Sequence, residues 1–106
     1  MQCTMISVRD YDHLDELQTT HPKLLVCYGA TWCRPCESWI KFLKGLYQTD
    51  YVLAKVDIDR MRTGVRKIPT TKIFIDGRIH RTFEGASVKD EVLSCIIQKE
   101  DASTYM

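Results

Sequence analysis

Two almost uninterrupted apolar runs, with an amphipathic stretch between them, constrain the fold of this chain more than any other feature. Lys23–Tyr28 and Tyr51–Asp57 have the composition of strands that are buried on both faces of a sheet. Between them, apolar residues recur at spacings of three and four from Cys36 to Tyr47, which is the period of a helix. Because a helix connects the two strands, they are expected to run parallel. The sequence therefore predicts an α/β protein with a central sheet.

Shorter patterns on either side complete the expected order of elements. Met5–Val8 is a short apolar run, and the acidic residues within Asp12–Leu17 favour the start of a short helix. Further along, Asp76-Gly77 separates two strand-like segments, as in tight hairpins. Apolar residues at helical spacing from Val88 to Ile97 predict a last helix. The expected order is strand, helix, strand, helix, strand, hairpin and helix.

The length and charge of the chain limit its organisation and its partners. The 106 residues, 44% of them hydrophobic, suffice for one core, so we expect a single domain over 1–106, with a core at about 5–99 and a polar tail at 100–106. The net charge of +1 favours neither nucleic acid nor a membrane as a partner. Charged residues interrupt Met1–Leu17, so no signal peptide or membrane span is expected, and the predicted location is cytoplasmic.

Cys33 and Cys36 are separated by two residues and lie between the first long strand and the helix that follows it. Such a pair binds a metal, forms a structural disulfide or exchanges electrons. Five cysteines with one close pair do not suit the disulfide framework of a small secreted domain. A structural zinc site needs four ligands, and the remaining candidates are isolated in the sequence: Cys3, Cys27, Cys95, His13, His21 and His80. We therefore expect no metal and favour redox chemistry.

Several motifs, taken in order, resemble the thioredoxin family. Trp32-Cys33-Arg34-Pro35-Cys36 lies at a strand-to-helix junction, and Val56-Asp57-Ile58-Asp59 closes the next strand. Ile68-Pro69-Thr70 precedes the hairpin, and Gly85 follows it. The resemblance extends over roughly residues 5–99 and implies a thioredoxin fold, in which helices flank a central mixed β-sheet.

The chemistry of thiols assigns different roles to the two cysteines. A thiolate attacks a disulfide, and Cys33 lies where the first turn of a helix points unpaired backbone N–H groups. Cys33 is therefore the expected nucleophile and the most exposed thiol. Cys36 is one turn further along and deeper, so it is expected to resolve the mixed disulfide. The pair forms a redox-active disulfide, and no cofactor is expected.

The residues around the pair are expected to support it. Pro35 fits the first helical turn and stiffens it. Arg34 either favours the Cys33 thiolate or is only a solvated side chain. Trp32 is expected to offer a partly exposed flat surface beside Cys33, the alternative being a core residue.

The resemblance also implies a substrate-binding surface made of Trp32, Ile68, Pro69 and Gly85. In the family, the proline follows a cis peptide bond beside the disulfide, which lets the preceding residue present its backbone to the substrate. For Ile68–Pro69 the alternative is an ordinary trans proline at the start of an edge strand.

Two departures from the family pattern limit what can be transferred. Cys27 occupies a strand position that is typically a buried aspartate, and Lys55 matches the lysine that usually accompanies it. Cys27 is either an inert core thiol, as most buried free cysteines are, or a third redox thiol. The connection at residues 60–67 is shorter than the helix usual there, which predicts a turn or a loop and a thinly covered sheet face.

Basic residues are frequent between positions 60 and 81. They either form a solvated face or select an acidic partner or a small anionic thiol such as glutathione. These residues are Arg60, Arg62, Arg66, Lys67, Lys72, Arg78 and Arg81.

The resemblance implies a monomeric thiol-disulfide oxidoreductase that reduces protein disulfides. Its electrons would come from a reductase or a low-molecular-weight thiol, and its roles would be electron transport and cell redox homeostasis. Two alternatives stay open: a thioredoxin-fold binding module whose cysteine pair is not catalytic, and a glutaredoxin-like reductase that depends on glutathione.

Overall fold

The elements occur in the expected order in a computed structural model, which describes residues 5–46 and 49–96. The strands are β1 Met5–Ser7, β2 Lys23–Gly29, β3 Val52–Asp57, β4 Thr70–Ile75 and β5 Arg78–Glu84. The helices are α1 Tyr11–Thr20, α2 Arg34–Lys44 and α3 Lys89–Ile96. The sheet has the order β1-β3-β2-β4-β5, which confirms the central mixed sheet that the resemblance implies. Cys3, Tyr47, Ile97 and the predicted tail at 100–106 lie outside the described residues.

The central strand β2 carries the chain through the core to the cysteine pair. It runs parallel to β3 and antiparallel to β4, and Cys27 lies opposite Lys55 on one side and Thr71 on the other. Every residue from Leu24 to Gly29 is buried, as expected of a strand covered on both faces. The end of this strand therefore has a fixed position in the molecule.

The core consists of two clusters, one on each face of the sheet. Leu25 and Cys27 point towards α2 and α3, where they join Trp39 and Val92. The alternate residues of β2 point towards α1 and contribute to the second cluster, which holds Leu24, Val26, Tyr28, Leu14, Leu17 and Phe74. The side chains of β2 thus alternate between the two faces.

None of the helices in the described ranges is long and apolar enough to cross a bilayer.

The connection between β3 and β4, which the structure describes in full, contains no helix, as the length of residues 60–67 predicts. A turn follows β3, and the remainder is a loop in which Gly64 has a φ of 74°. Met61 is 5% exposed and packs on the same face as α1, together with the partly buried Val65. Val56 beneath them is only 2% exposed, so this face is better covered than expected.

The β4–β5 hairpin brings Gly85 next to Pro69. Asp76 and Gly77 both have positive φ angles, 53° and 82°, which suits the tight turn predicted for them. Beyond the strands, the Gly85 N–H donates to the Pro69 carbonyl at 2.8 Å. Gly85 itself has a φ of 93°, a conformation that glycine adopts without steric cost.

Candidate active site

The cysteine pair lies at the start of α2, directly after the buried strand β2. Cys33 is the N-cap, and its Sγ accepts a hydrogen bond from the Cys36 N–H at 3.2 Å. Pro35 lies in the first turn, where its missing N–H costs no helical hydrogen bond. The predicted placement of Cys33 among the unpaired N–H groups of a helix start is confirmed.

Cys33 and Cys36 form a disulfide, with their Cα atoms 5.2 Å apart. Cys36 is fully buried and Cys33 is 7% exposed, so the resolving cysteine is the deeper of the two, as expected. The expectation that Cys33 is the most exposed thiol is wrong for this oxidised state, because Cys95 is only half-buried. The Cys36 sulfur packs close to Gly29 at the end of β2, which a sequence pattern does not reveal.

Gly29, the last residue of β2, leaves the space that Cys36 occupies. A Cβ atom at this position would lie 3.1 Å from both the Cβ and the Sγ of Cys36, closer than ordinary van der Waals contact. The sequence analysis assigned Gly29 no role in the site. The close approach explains why a residue without a side chain suits this position.

Trp32 presents an exposed ring beside Cys33, in agreement with the sequence prediction. It is 66% exposed, and its Nε1–H donates to Asp59 Oδ2 at 2.8 Å. The Asp59 backbone N–H in turn donates to Asp57 Oδ1 at 2.9 Å. Sequence reasoning gave Asp59 no role, although it belongs to the motif that closes β3. These hydrogen bonds fix the orientation of a ring that packing alone would leave free.

The peptide bond between Ile68 and Pro69 is cis, as the resemblance implies. Pro69 is fully buried and Ile68 is half-buried. The Thr70 hydroxyl donates to the Lys67 carbonyl and closes the turn around the proline. Contact of Ile68, Pro69 and Gly85 with a substrate stays a prediction.

Cys27 is a free thiol with no exposed surface, and it lies in register with Lys55. Burial raises the pKa of Cys27 to about 12, because a thiolate is poorly solvated in the core, and the nearby charge of Lys55 only partly opposes this rise. The thiol is therefore protonated at neutral pH. This supports the interpretation of Cys27 as an inert core residue.

Arg34 is exposed, and within the described part of the chain its guanidinium makes no hydrogen bond or ion pair. The part of the chain that the structure describes thus offers this guanidinium no fixed partner. Its influence on the Cys33 thiolate stays a prediction.

The basic residues between 60 and 81 belong to separate parts of the fold. Arg60 lies after β3, with its Nε 4.0 Å from Asp57 Oδ2. The Lys72 ammonium lies 5.0 Å from the ring centre of Tyr28 on β2, and the Arg81 guanidinium 4.9 Å from that of Phe83 on β5. Within residues 5–46 and 49–96, no three His, Cys, Asp or Glu side chains are grouped as ligands for a metal.

Comparisons with known proteins agree with this site. A sequence model of the family described as Thioredoxin matches residues 4–98. The chain is 35% identical over 92 residues to Thioredoxin-1 of Drosophila melanogaster, covering 77% of this chain and 86% of that one. It is 33% identical over 105 residues to a thioredoxin of Griffithsia pacifica, covering 92% and 95% of the two chains. The solved structure of a mutant thioredoxin from Halobacterium salinarum NRC-1 superimposes with a TM-score of 0.75 at 28% identity, over 87% of each chain.

Proposed function

This chain belongs to the thioredoxin family, and from that premise we propose how its Cys33–Cys36 pair reduces protein disulfides. The protein is a thiol-disulfide oxidoreductase. Members of the family carry no cofactor, because the dithiol itself holds the two electrons that are transferred.

In the first step, the Cys33 thiolate attacks one sulfur of the substrate disulfide. A bond forms between Cys33 Sγ and that sulfur, and the other substrate sulfur leaves as a thiolate and takes up a proton. The observation that carries the proposal is the N-cap position of Cys33, where the Cys36 N–H donates to its Sγ at 3.2 Å. In the disulfide this sulfur is neutral, and after reduction the same donor and the helix N-terminus stabilise a thiolate.

In the second step, the Cys36 thiolate attacks Cys33 Sγ. The Cys33–Cys36 disulfide closes, the mixed disulfide breaks, and the second substrate sulfur leaves as a thiol after protonation. Two electrons and two protons have then passed to the substrate. The full burial of Cys36 supports its role, because a protein substrate cannot reach it directly. A reductase or a low-molecular-weight thiol restores the dithiol.

We assign substrate binding to Trp32, Ile68, Pro69 and Gly85. The exposed ring of Trp32 supports this assignment, since a large aromatic surface held by Asp59 offers contact area at little entropic cost. Pro35, Arg34 and Lys55 support the site: Pro35 stiffens the first turn of α2, Arg34 adds charge near Cys33, and Lys55 faces Cys27.

The broader assignments are part of the proposal. We assign the protein to the cytoplasm as a monomer with a single domain over residues 1–106, acting in electron transport and cell redox homeostasis. Disulfide-containing proteins are its substrates.

A disulfide-reduction assay on a model protein tests the function. The reduced wild-type protein should reduce the substrate, and Cys33→Ser should abolish the activity because the nucleophile is lost. Cys36→Ser should accumulate a covalent adduct between Cys33 and the substrate, visible as added mass, because the resolving thiol is gone. Cys95→Ser serves as the control and should react like the wild type. A protein that neither reduces the substrate nor forms the adduct would instead be a binding module.

A further inference from the structure

A cleft of about 610 Å³ opens beside the cysteine pair, between α2 and the carboxyl end of β3. Lys41 and Lys44 of α2 line one side of it, and Lys55 of β3 and Arg60 line the other. Pockets of this volume enclose drug-sized ligands, and a short peptide segment is of similar size. Only Arg60 among these residues belongs to the basic region noted in the sequence.

The cleft adjoins the surface that a substrate must cover to reach Cys33. Thr31, which also lines the cleft, is the neighbour of Trp32 in the chain. The ring of Trp32 is hydrogen-bonded to Asp59, and the next residue, Arg60, lines the cleft. A polypeptide lying on Trp32 therefore has the mouth of the cleft beside it.

The charges in the cleft are unbalanced. Four cationic side chains line it, against the carboxylates of Glu37 and Asp57. Both oxygens of Asp57 are already engaged, because Oδ2 lies 4.0 Å from Arg60 Nε and Oδ1 accepts the Asp59 N–H. Within the described part of the chain, the ammonium groups of Lys41, Lys44 and Lys55 make no hydrogen bond or ion pair. Concave walls focus the resulting positive field on whatever enters.

We propose that this cleft docks an acidic segment of the protein whose disulfide is reduced, so that disulfides flanked by Asp or Glu are preferred substrates. The inference rests on the proposed function, because the segment must belong to a chain that reacts at Cys33. The partly buried side chain of Ile40 on α2 gives the cleft an apolar wall for the backbone and the methylene groups of such a segment. A second contact beside Trp32 increases the fraction of encounters that align the reacting sulfurs.

Three synthetic peptides test the proposal. They share one intramolecular disulfide ring and carry tails of Asp, Asn or Lys at both ends. Each is mixed in excess with the fully reduced protein, and the second-order rate constant of its reduction is measured by acid quench and chromatography. The Asp peptide should react about fivefold faster than the Asn peptide at low ionic strength, and the Lys peptide should be the slowest. The Asp-to-Asn ratio should approach one in about 0.5 M NaCl, because salt screens such contacts.

Two double variants with equal losses of charge locate the effect. Lys41→Gln/Lys44→Gln should bring the Asp-to-Asn ratio close to one, and Lys55 is left intact because it faces Cys27. Arg78→Gln/Arg81→Gln removes two charges from β5, at the opposite edge of the sheet from β1 and β3, and should keep the wild-type ratio.

The outcomes separate this inference from the proposed function. Equal rates for the three peptides, or a ratio that both double variants change alike, would overturn the docking surface alone. Reduction of none of the peptides would overturn the reductase function together with it. Circular dichroism of each variant establishes that the comparison is between folded proteins.

Discussion

Cys27 and Cys36 are both fully buried, yet their surroundings give them different chemistry. Cys36 follows the start of a helix and is bonded to Cys33, whereas Cys27 lies in the middle of a central strand. Cys27 is remote from the N-terminus of α2, which lies beyond the end of that strand. The charge of Lys55 on the neighbouring strand β3 compensates only part of the free-energy cost of burying a Cys27 thiolate. Position in the fold, rather than burial alone, decides which thiol reacts.

The high pKa of Cys27 predicts a loss of stability in alkaline solution. In the unfolded chain this thiol ionises at about its ordinary pKa of 9.0, and in the folded protein only at about 12. The stabilisation is therefore complete below about pH 9 and is lost as the pH rises towards 12, at about 1.4 kcal/mol per pH unit. Urea unfolding of the oxidised protein at several alkaline pH values should show a steeper decline for the wild type than for Cys27→Ala.

The comparison of the wild type with Cys27→Ala also controls for other groups that titrate in alkaline solution. Burial also raises the pKa of Tyr28 and of Tyr51, but both residues are present in each protein, so their effects cancel in the comparison. Cys27→Ala should also reduce disulfides at the wild-type rate. A folded Cys27→Ala protein without that activity would show that three thiols take part in the mechanism.

The close approach of Gly29 to Cys36 predicts that a single methyl group added at Gly29 destabilises the fold. Gly29→Ala should lower the free energy of unfolding by about 1–3 kcal/mol, because its Cβ would press on Cys36, which the disulfide holds in place. Gly45→Ala at the end of α2 is the matched control. Its Cβ would come no closer than 3.4 Å to any atom, so stability should be unchanged or higher by up to about 1 kcal/mol. Equal losses in urea unfolding would contradict the proposed crowding at Gly29.

At the scale of elements, a buried hydrogen bond ties α2 to β4. The Trp39 Nε1–H donates to Thr71 Oγ1 at 2.8 Å, and both residues are almost completely buried. Cys36 lies one turn before Trp39 on α2, and Pro69 lies two residues before Thr71. The bond therefore couples the two segments that carry the redox pair and the cis proline.

Thr71→Val should break this connection without changing the shape of the side chain much. The indole N–H would be left buried and unpaired, which should cost about 1–3 kcal/mol of the free energy of unfolding in a urea titration. Thr82→Val, on the exposed part of β5, should change stability by less than about 0.5 kcal/mol. Similar losses in the two variants would mean that the buried hydrogen bond contributes little.

On the scale of the whole molecule, large exposed apolar side chains are scattered. Among the described residues, Tyr11 on α1, Trp32 beside the cysteines and Ile79 on β5 are exposed by 49%, 66% and 55%. They belong to different elements and do not suggest a large apolar interface. With a net charge of only +1, the chain has no strong overall field, so local groups of charge determine its electrostatic contacts.

These features predict a monomer. Sedimentation under reducing conditions should give a mass near 12.3 kDa at every protein concentration tested. The reductant prevents disulfides between chains from obscuring the result. A mass that rises to twice this value with concentration would contradict the prediction and point to an interface on one of the exposed elements.

The local sequence was sufficient for the secondary structure and for the position of the cysteine pair. The apolar runs of β2 and β3 and the helical period after Cys36 show which faces each segment buries, and Asp76-Gly77 suits the backbone of a tight turn, so each pattern is readable within a short segment. Cys33 is adjacent to the helix in sequence, so its place at the N-terminus of α2 follows once the helix is predicted. The cis bond before Pro69 came from the resemblance of the motifs.

Tertiary structure decided how these elements meet around the site. Trp32 and Asp59 are 27 residues apart, Trp39 and Thr71 are 32 apart, and Lys41 reaches the same cleft as Arg60 only because α2 packs beside the end of β3. Such contacts depend on strand register and on the packing of helices against the sheet, whereas the period of a segment specifies only which face is apolar.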